Sequence, residues 1–256
     1  MKIVFHENYL PQYDDTPAGD SNRLEPTLAL LSEDPSYEFV TPGPAPLQAV
    51  KRAHSDGHIR KVENNFYGHG LYDISLLGAG GAIMCADIAA KGAPAFGLLR
   101  PPGHHASGDS CWGFCYFNNV AVSLLHARDT YGLVRGLVLD FDLHTGDGNI
   151  NILRSISGYE IINPAAPNES EYLHEVELAL ENAAPADIIA ASAGFDQGIS
   201  DWGGLLSPEG YFQIGMMMKK YSRARCGGRR YALLEGGYNF TEMAWCIKAF
   251  CEGFRD

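Results

Sequence analysis

The residues best suited to chemistry lie in Leu137–Asp147, which reads Leu-Val-Leu-Asp-Phe-Asp-Leu-His-Thr-Gly-Asp. An apolar, strand-like run ends there in Asp140, Asp142 and His144, spaced two apart. On an extended backbone alternate side chains share a side, so the three can face one point while Phe141 and Leu143 turn into a core. Two carboxylates and an imidazole converging at a strand end form a donor set for a divalent metal ion. The same residues could also make a charged loop that caps a helix starting near Gly146. Asp196, in Ala193-Gly-Phe-Asp, is a candidate third ligand beside Asp142 and His144. A catalytic zinc site uses three protein ligands and keeps a position open. An aspartate that merely ends a strand would need no such role.

His104 and His105 follow Arg100-Pro-Pro-Gly. Adjacent residues on an extended loop point in different directions, which suits two separate roles better than two ligands to one ion. A histidine paired with a carboxylate is fixed in one tautomer and made more basic, as a general base requires. Asp140 and Asp147 are the natural partners. Tyr238 follows two glycines, which let the backbone approach a ligand and project the phenol into a cleft. There it could donate a hydrogen bond to a developing oxyanion, or it could simply pack at a turn. The aromatic stretch Trp112-Gly-Phe-Cys-Tyr-Phe117 is either core or, through Gly113 and Phe114, the wall of a narrow apolar channel.

These residues need a frame that brings distant loops together. Strand-like runs occupy Lys2–Phe5, Tyr37–Val40, Ala95–Leu99, Gly136–Phe141, Tyr159–Ile162, Asp187–Ser192 and Arg230–Leu234. Helical spacing recurs through Ile74, Leu77, Gly81, Met84, Cys85 and Ile88, and helices are expected near Asn22–Leu31, Asn119–Tyr131, Glu169–Asn182, Ser207–Tyr221 and Thr241–Gly253. Ser207-Pro-Glu places a cap residue before a first-turn proline. Strand–helix alternation implies an α/β fold with a mainly parallel sheet flanked by helices, and the absence of a repeat or linker makes residues 1–256 one domain. All four polar, glycine-flanked loops follow predicted strands, the edge where open parallel sheets bind ligands.

Composition narrows the partners. With 46% hydrophobic residues, the chain can bury a sizeable core, and its net charge of −12 argues against general affinity for nucleic acid or anionic membrane. Six cysteines (85, 111, 115, 226, 246, 251) show no Cys-x-x-Cys spacing, so a zinc ribbon is not expected. Met1-Lys-Ile-Val-Phe reads as a first strand rather than a signal peptide, and no apolar run approaches a membrane span. A cytoplasmic location is the expectation.

The motifs Arg-Pro-Pro-Gly-His-His-Ala, Gly-Phe-Cys-Tyr-Phe-Asn-Asn, Asp-Phe-Asp-Leu-His-x-Gly-Asp-Gly, Ser-Ala-Gly-Phe-Asp and Glu-Gly-Gly-Tyr-Asn stand here in the order of the histone deacetylase superfamily, which includes acetylpolyamine amidohydrolases and acetoin-utilisation proteins. The chain resembles that family well from Leu71 to about Asn239 and loosely over residues 1–70. The resemblance implies the arginase/deacetylase fold. It implies Asp142, His144 and Asp196 as zinc ligands (Fe2+ or another divalent ion being an alternative metal), and His105 with Asp147 as general base and acid. His104 with Asp140 becomes the neighbouring electrostatic or proton-shuttling histidine, and Tyr238 the phenol that polarises the acyl carbonyl. Gly113 and Phe114 line the acyl channel. A potassium ion is implied behind the zinc, partly on Asp140.

Two departures from the family pattern stand out. Thr145 replaces a second histidine common after the ligand, and the position is not a ligand. Between Asn149 and Tyr172, a strand ending in Ser-x-His and a long glycine-rich loop with a second channel aromatic are missing, because Tyr159-Glu-Ile-Ile-Asn163-Pro-Ala-Ala-Pro passes almost directly into a helix. A wider, half-open cleft bounded by Phe114 on one side is therefore expected. The expected activity is zinc-dependent removal of an acetyl or other acyl group from an amine, with an acetyl-lysine protein, an acetylpolyamine or another small amide as substrate. A binuclear arginase-like hydrolase would need more metal-facing side chains than these loops show. A non-catalytic acyl-amine sensor or partner-binding module would need neither a base nor an oxyanion donor.

Overall fold

The apolar runs and helical stretches assemble into one layered α/β structure in the computed structural model, which describes residues 1–64 and 70–256. Among the described residues seven strands form a single sheet: β1 (Lys2–Val4), β2 (Glu38–Val40), β3 (Ala95–Gly97), β4 (Gly136–Asp140), β5 (Tyr159–Ile162), β6 (Ile188–Ala193) and β7 (Arg230–Leu234). Their spatial order is β2-β1-β3-β7-β6-β4-β5, and every pairing is parallel. Each predicted strand is present within a residue or two. The four loops with polar residues follow β3, β7, β6 and β4, which are consecutive neighbours at the centre of the sheet. Loops far apart in sequence thus meet at one edge.

The helices are α1 (Glu25–Ser32), α2 (Leu47–Val50), α3 (Asp56–Glu63), α4 (Leu71–Ala90), α5 (Asn119–Tyr131), α6 (Asp147–Leu153), α7 (Glu169–Asn182), α8 (Pro208–Arg225) and α9 (Phe240–Phe254). Ser207 caps α8 by accepting the Gly210 N–H at 3.1 Å, and Pro208 opens the helix, as the sequence requires. The short helices α2 and α3 were not predicted, since neither repeats a long apolar period, whereas α6 starts where the alternative reading of the acidic loop put a helix, near Gly146. Contrary to expectation, α4 is long and apolar enough to cross a bilayer by length and composition. Its character answers to packing: 67% of that apolar window is buried, and the helix lies against α5, β3 and β7. A helix enclosed on nearly all sides needs no polar face. Cys85, within it, is fully buried.

Two buried histidines brace the loop that leads from β3 to α5. His54 takes the Asn118 N–H on Nε2 at 2.9 Å, and its Nδ1 lies 2.9 Å from the Ser107 carbonyl. This arrangement requires the neutral ring, with Nδ1 donating. Burial, followed by neighbouring His58, pulls His54 from 6.5 down to about 3. The folded-state value is depressed for a base, so the unfolded chain takes up the proton first. The resulting stability is complete above pH 6.5 and lost as pH falls toward 3, at about 1.4 kcal/mol per pH unit from this group. Denaturant unfolding of wild type and His54→Gln between pH 7 and 4 tests this. The wild-type stability should fall more steeply, and identical slopes would refute it.

Candidate metal and acid–base site

β4 ends at Asp140, and the chain then bends rather than continuing as a strand. Asp142 and His144 therefore meet through a local turn, in which the His144 N–H donates to Asp142 Oδ1 at 3.0 Å, and not through pleat alternation. Phe141 is buried in the core as expected, whereas Leu143 is only partly buried. Asp196, just beyond β6, joins them: the ligand atoms of Asp142, His144 and Asp196 all lie within 4.8 Å of one another. Asp140 does not share this point. It sits beneath, where its Oδ2 accepts from Asn149 Nδ2 at 2.9 Å and lies 3.3 Å from His104 Nδ1.

The three converging groups suit a divalent cation. Backbone N–H groups hold one oxygen of each carboxylate, Gly236 on Asp142 Oδ2 at 2.8 Å and Leu143 on Asp196 Oδ1 at 3.0 Å. His144 Nδ1 lies 3.3 Å from Asp142 Oδ1 and from Asp196 Oδ2. Asp196 Oδ2 is buried and, with that imidazole out of line, has no hydrogen bond among the described residues. Burial and the adjacent Asp142 raise Asp196 to about 6, while the two carboxylates raise His144 to about 10. Two buried carboxylates with a free lone pair need positive charge between them. The close approach depends on Gly236, where a Cβ would fall 2.6 Å from both Asp142 Oδ2 and Asp196 Oδ2.

His104 and His105 lie in a turn closed by the Ala106 N–H on the Gly103 carbonyl, so their rings sit side by side, 4.0 Å apart, instead of pointing apart. Each has its own carboxylate: His105 Nδ1 donates to Asp147 Oδ1 at 2.7 Å, and His104 faces Asp140. Burial first, and then His104, bring His105 down to about 4 despite Asp147, so its ring is neutral at pH 7. Burial acts the same way on His104, but Asp142 and Asp140 outweigh it and push that ring well up. The two adjacent rings are therefore pushed in opposite directions, His104 toward holding its proton and His105 toward the neutral form that can accept one.

Tyr238 stands across the site, its phenol driven up by burial and so held protonated. Phe114 meets its ring edge-on at 5.9 Å. Gly113 has φ +59°, and a Cβ there would strike the His105 ring at 2.4 Å, so this position must be glycine for the aromatic loop to close over the histidine.

Three further side chains belong to the site although the sequence reading assigned them no role. Glu235, fully buried at the end of β7, accepts the Gly103 and His104 N–H groups at 2.6 and 3.1 Å and so ties the histidine turn to the Tyr238 loop. Burial raises it to about 7. Its place at a strand end before two glycines was the available signal. His104, Cys115 and Glu235 also converge closely. Glu235 and Cys115 are, however, engaged with the backbone, Cys115 by accepting the His105 N–H at 3.4 Å. Arg23 donates to the carbonyls of Gly237 and Glu235, and nothing in its local sequence announces this. Trp112 stacks on His105 at 3.8 Å while its indole N–H donates to Asp147 Oδ2 at 2.9 Å.

The short segment after Asn149 leaves space. A cavity of about 350 Å³ lies among Asp142, Leu143, Thr145, residues 163–167, Gln197, Gly203 and Leu205. The cleft is nonetheless not bounded by Phe114 alone, because Trp202 from the loop after β6 stacks on Tyr238 at 4.1 Å.

The sequence profile of the histone deacetylase domain matches residues 19–163. A probable deacetylase of Methanothermobacter thermautotrophicus is 39% identical over 166 residues, covering 59% of this chain and 50% of that protein. A probable deacetylase of Archaeoglobus fulgidus is 29% identical over 292 aligned positions, covering 93% of this chain and 81% of its own length. This chain thus spans about half the length of the first relative and most of the second. The 292 positions exceed its 256 residues, so the second relative carries residues without counterpart here. The crystal structure of the HDA15 HD domain superposes with a TM-score of 0.84 at 22% identity, covering 99% of this chain and 88% of that one, which establishes the shared fold.

Proposed function

This chain belongs to the histone deacetylase domain family, and from that premise we propose that it is a metal-dependent amidohydrolase that removes an acetyl or related acyl group from an amine. The observation that carries the reading is the convergence of Asp142, His144 and Asp196 beside a neutral His105 paired with Asp147. Asp142, His144 and Asp196 would hold the divalent ion, zinc being the metal that suits an Asp/His donor set. When bound, that ion supplies Lewis acidity and makes a water molecule more acidic.

His105 holds its Nδ1 proton on Asp147, which leaves Nε2 to take a proton from water and return it to the departing amine. Tyr238, protonated, donates to the carbonyl oxygen as negative charge develops there. His104, paired with Asp140, would serve as the neighbouring electrostatic or proton-shuttling histidine. The same reading includes a potassium ion at Asp140.

A turnover screen of zinc-loaded protein on acetyl-lysine peptides, acetylpolyamines and small acylamides tests the proposal. Acetate release from at least one class, abolished by a chelator and restored by metal, is the expected result. No release from any of them by fully metallated protein would overturn it.

A further inference from the structure

Trp112 makes contacts with the acid–base pair that core packing does not explain. It is 53% exposed and stands outside the hydrophobic core. Its indole lies flat on the His105 ring, with 3.8 Å between centroids and 30° between planes, and its N–H donates to Asp147 Oδ2 at 2.9 Å. The other oxygen of that carboxylate takes the His105 Nδ1 proton at 2.7 Å. The three side chains thus close a cycle: imidazole to carboxylate, carboxylate to indole, and indole back onto imidazole. The loop that carries the indole is fastened to the same histidine. Cys115 Sγ accepts the His105 N–H at 3.4 Å, and the Trp112 carbonyl accepts the Cys115 N–H at 3.1 Å.

We propose that Trp112 is a positioning residue for the His105–Asp147 pair: it fixes the orientation of the Asp147 carboxylate, which keeps the His105 proton on Nδ1 and leaves Nε2 free for the reacting groups. The inference rests on the amidohydrolase reading above. Asp147 needs such a hold. Its side chain is 42% exposed, whereas Asp140, the carboxylate that faces His104, is fully enclosed. A carboxylate at the surface with a single hydrogen bond can turn about its soft terminal torsion, and a second donor on the other oxygen removes that freedom. The indole N–H can only donate, so this bond has one direction. A neutral imidazole has two tautomers, and only the one protonated on Nδ1 can accept a proton at Nε2. Both proton transfers, from water to Nε2 and from Nε2 to the departing amine, depend on that one orientation.

The test compares zinc-loaded wild type with Trp112→Phe, which keeps a stacked ring and loses the N–H, and Trp112→Ala, which loses both. The tautomer is read from long-range proton–nitrogen correlation spectra of isotope-labelled histidines, with the His105 signals identified by their loss in His105→Gln. Wild type at neutral pH should show His105 protonated on Nδ1 alone, and Trp112→Ala should show a mixture of tautomers. With a linear N-acetylalkylamine, kcat should fall about tenfold in Trp112→Phe and further in Trp112→Ala, while KM stays close to wild type. Hydrolysis of para-nitrophenyl acetate should fall less, because nitrophenolate departs without a proton and only the first transfer is needed. An unmixed Nδ1 tautomer in Trp112→Ala would overturn the inference, as would a change in KM alone or equal losses on amide and ester. If wild type turns over no acylamide, the amidohydrolase reading falls, and the tautomer spectra still judge Trp112.

Discussion

Asp196→Ala protein is expected to remain folded, to retain no divalent metal after dialysis and to show no detectable turnover. Asp196 contributes one of three converging ligand atoms, and its Oδ2 is buried without a hydrogen bond. Removing it leaves two donors, and the several kcal/mol that a Lewis acid contributes to transition-state charge stabilisation are lost with the metal. The fold should tolerate the change because a buried carboxylate beside a second one costs stability unless a cation accompanies it. Asp196 sits buried beside Asp142, which is why its affinity for a proton is raised. The cost is the acceptor for the Leu143 N–H, worth about 1 kcal/mol. Elemental analysis and thermal unfolding of the same preparation separate the effects. Full metal occupancy in the variant would show that Asp196 is not a ligand.

Tyr238→Phe tests the other half of the site. The ring keeps its places against Phe114 and Trp202, and only the hydroxyl is lost. By comparison with deleting one oxyanion-hole donor, kcat should fall by roughly 10²–10³, or about 2.7–4 kcal/mol. KM should change little, because the hydrogen bond strengthens as charge develops and contributes less to ground-state binding. Metal content should match wild type. Turnover close to wild type would exclude the phenol from the reaction.

Much of this was legible in the sequence because a parallel sheet puts chemistry after strands. The runs 137–139 and 231–234 are apolar throughout, as strands buried on both faces must be, and the polar residues that follow them could only lie at the carboxyl edge. Details that depend on backbone turns were misread. Strict alternation put Asp140 with Asp142 and His144, but the strand stops at Asp140. An extended loop separated His104 from His105, but a turn brings their rings together. Long-range partners were invisible. Arg23 and Glu235 are more than 200 residues apart and meet only through the fold. Trp202 lies in a stretch with no periodicity and became meaningful only through its contact with Tyr238.

The position of β7 has a consequence for synthesis of the chain. Among the described residues it is the last strand in sequence, yet it lies at the centre of the sheet, between β3 and β6. Until residues 230–234 leave the ribosome, the protein can form only two separate three-stranded ribbons, β2-β1-β3 and β6-β4-β5, each with an unpaired edge awaiting the same partner. His104 and His105 belong to the first ribbon, and Asp142, His144 and Asp196 to the second. A nascent or truncated chain ending before Arg230 therefore carries the acid–base pair and the metal ligands on different pieces, with two sticky edges prone to aggregation. Insertion of β7 pairs both edges and delivers Tyr238 in the same event, so completion of the fold and completion of the site coincide.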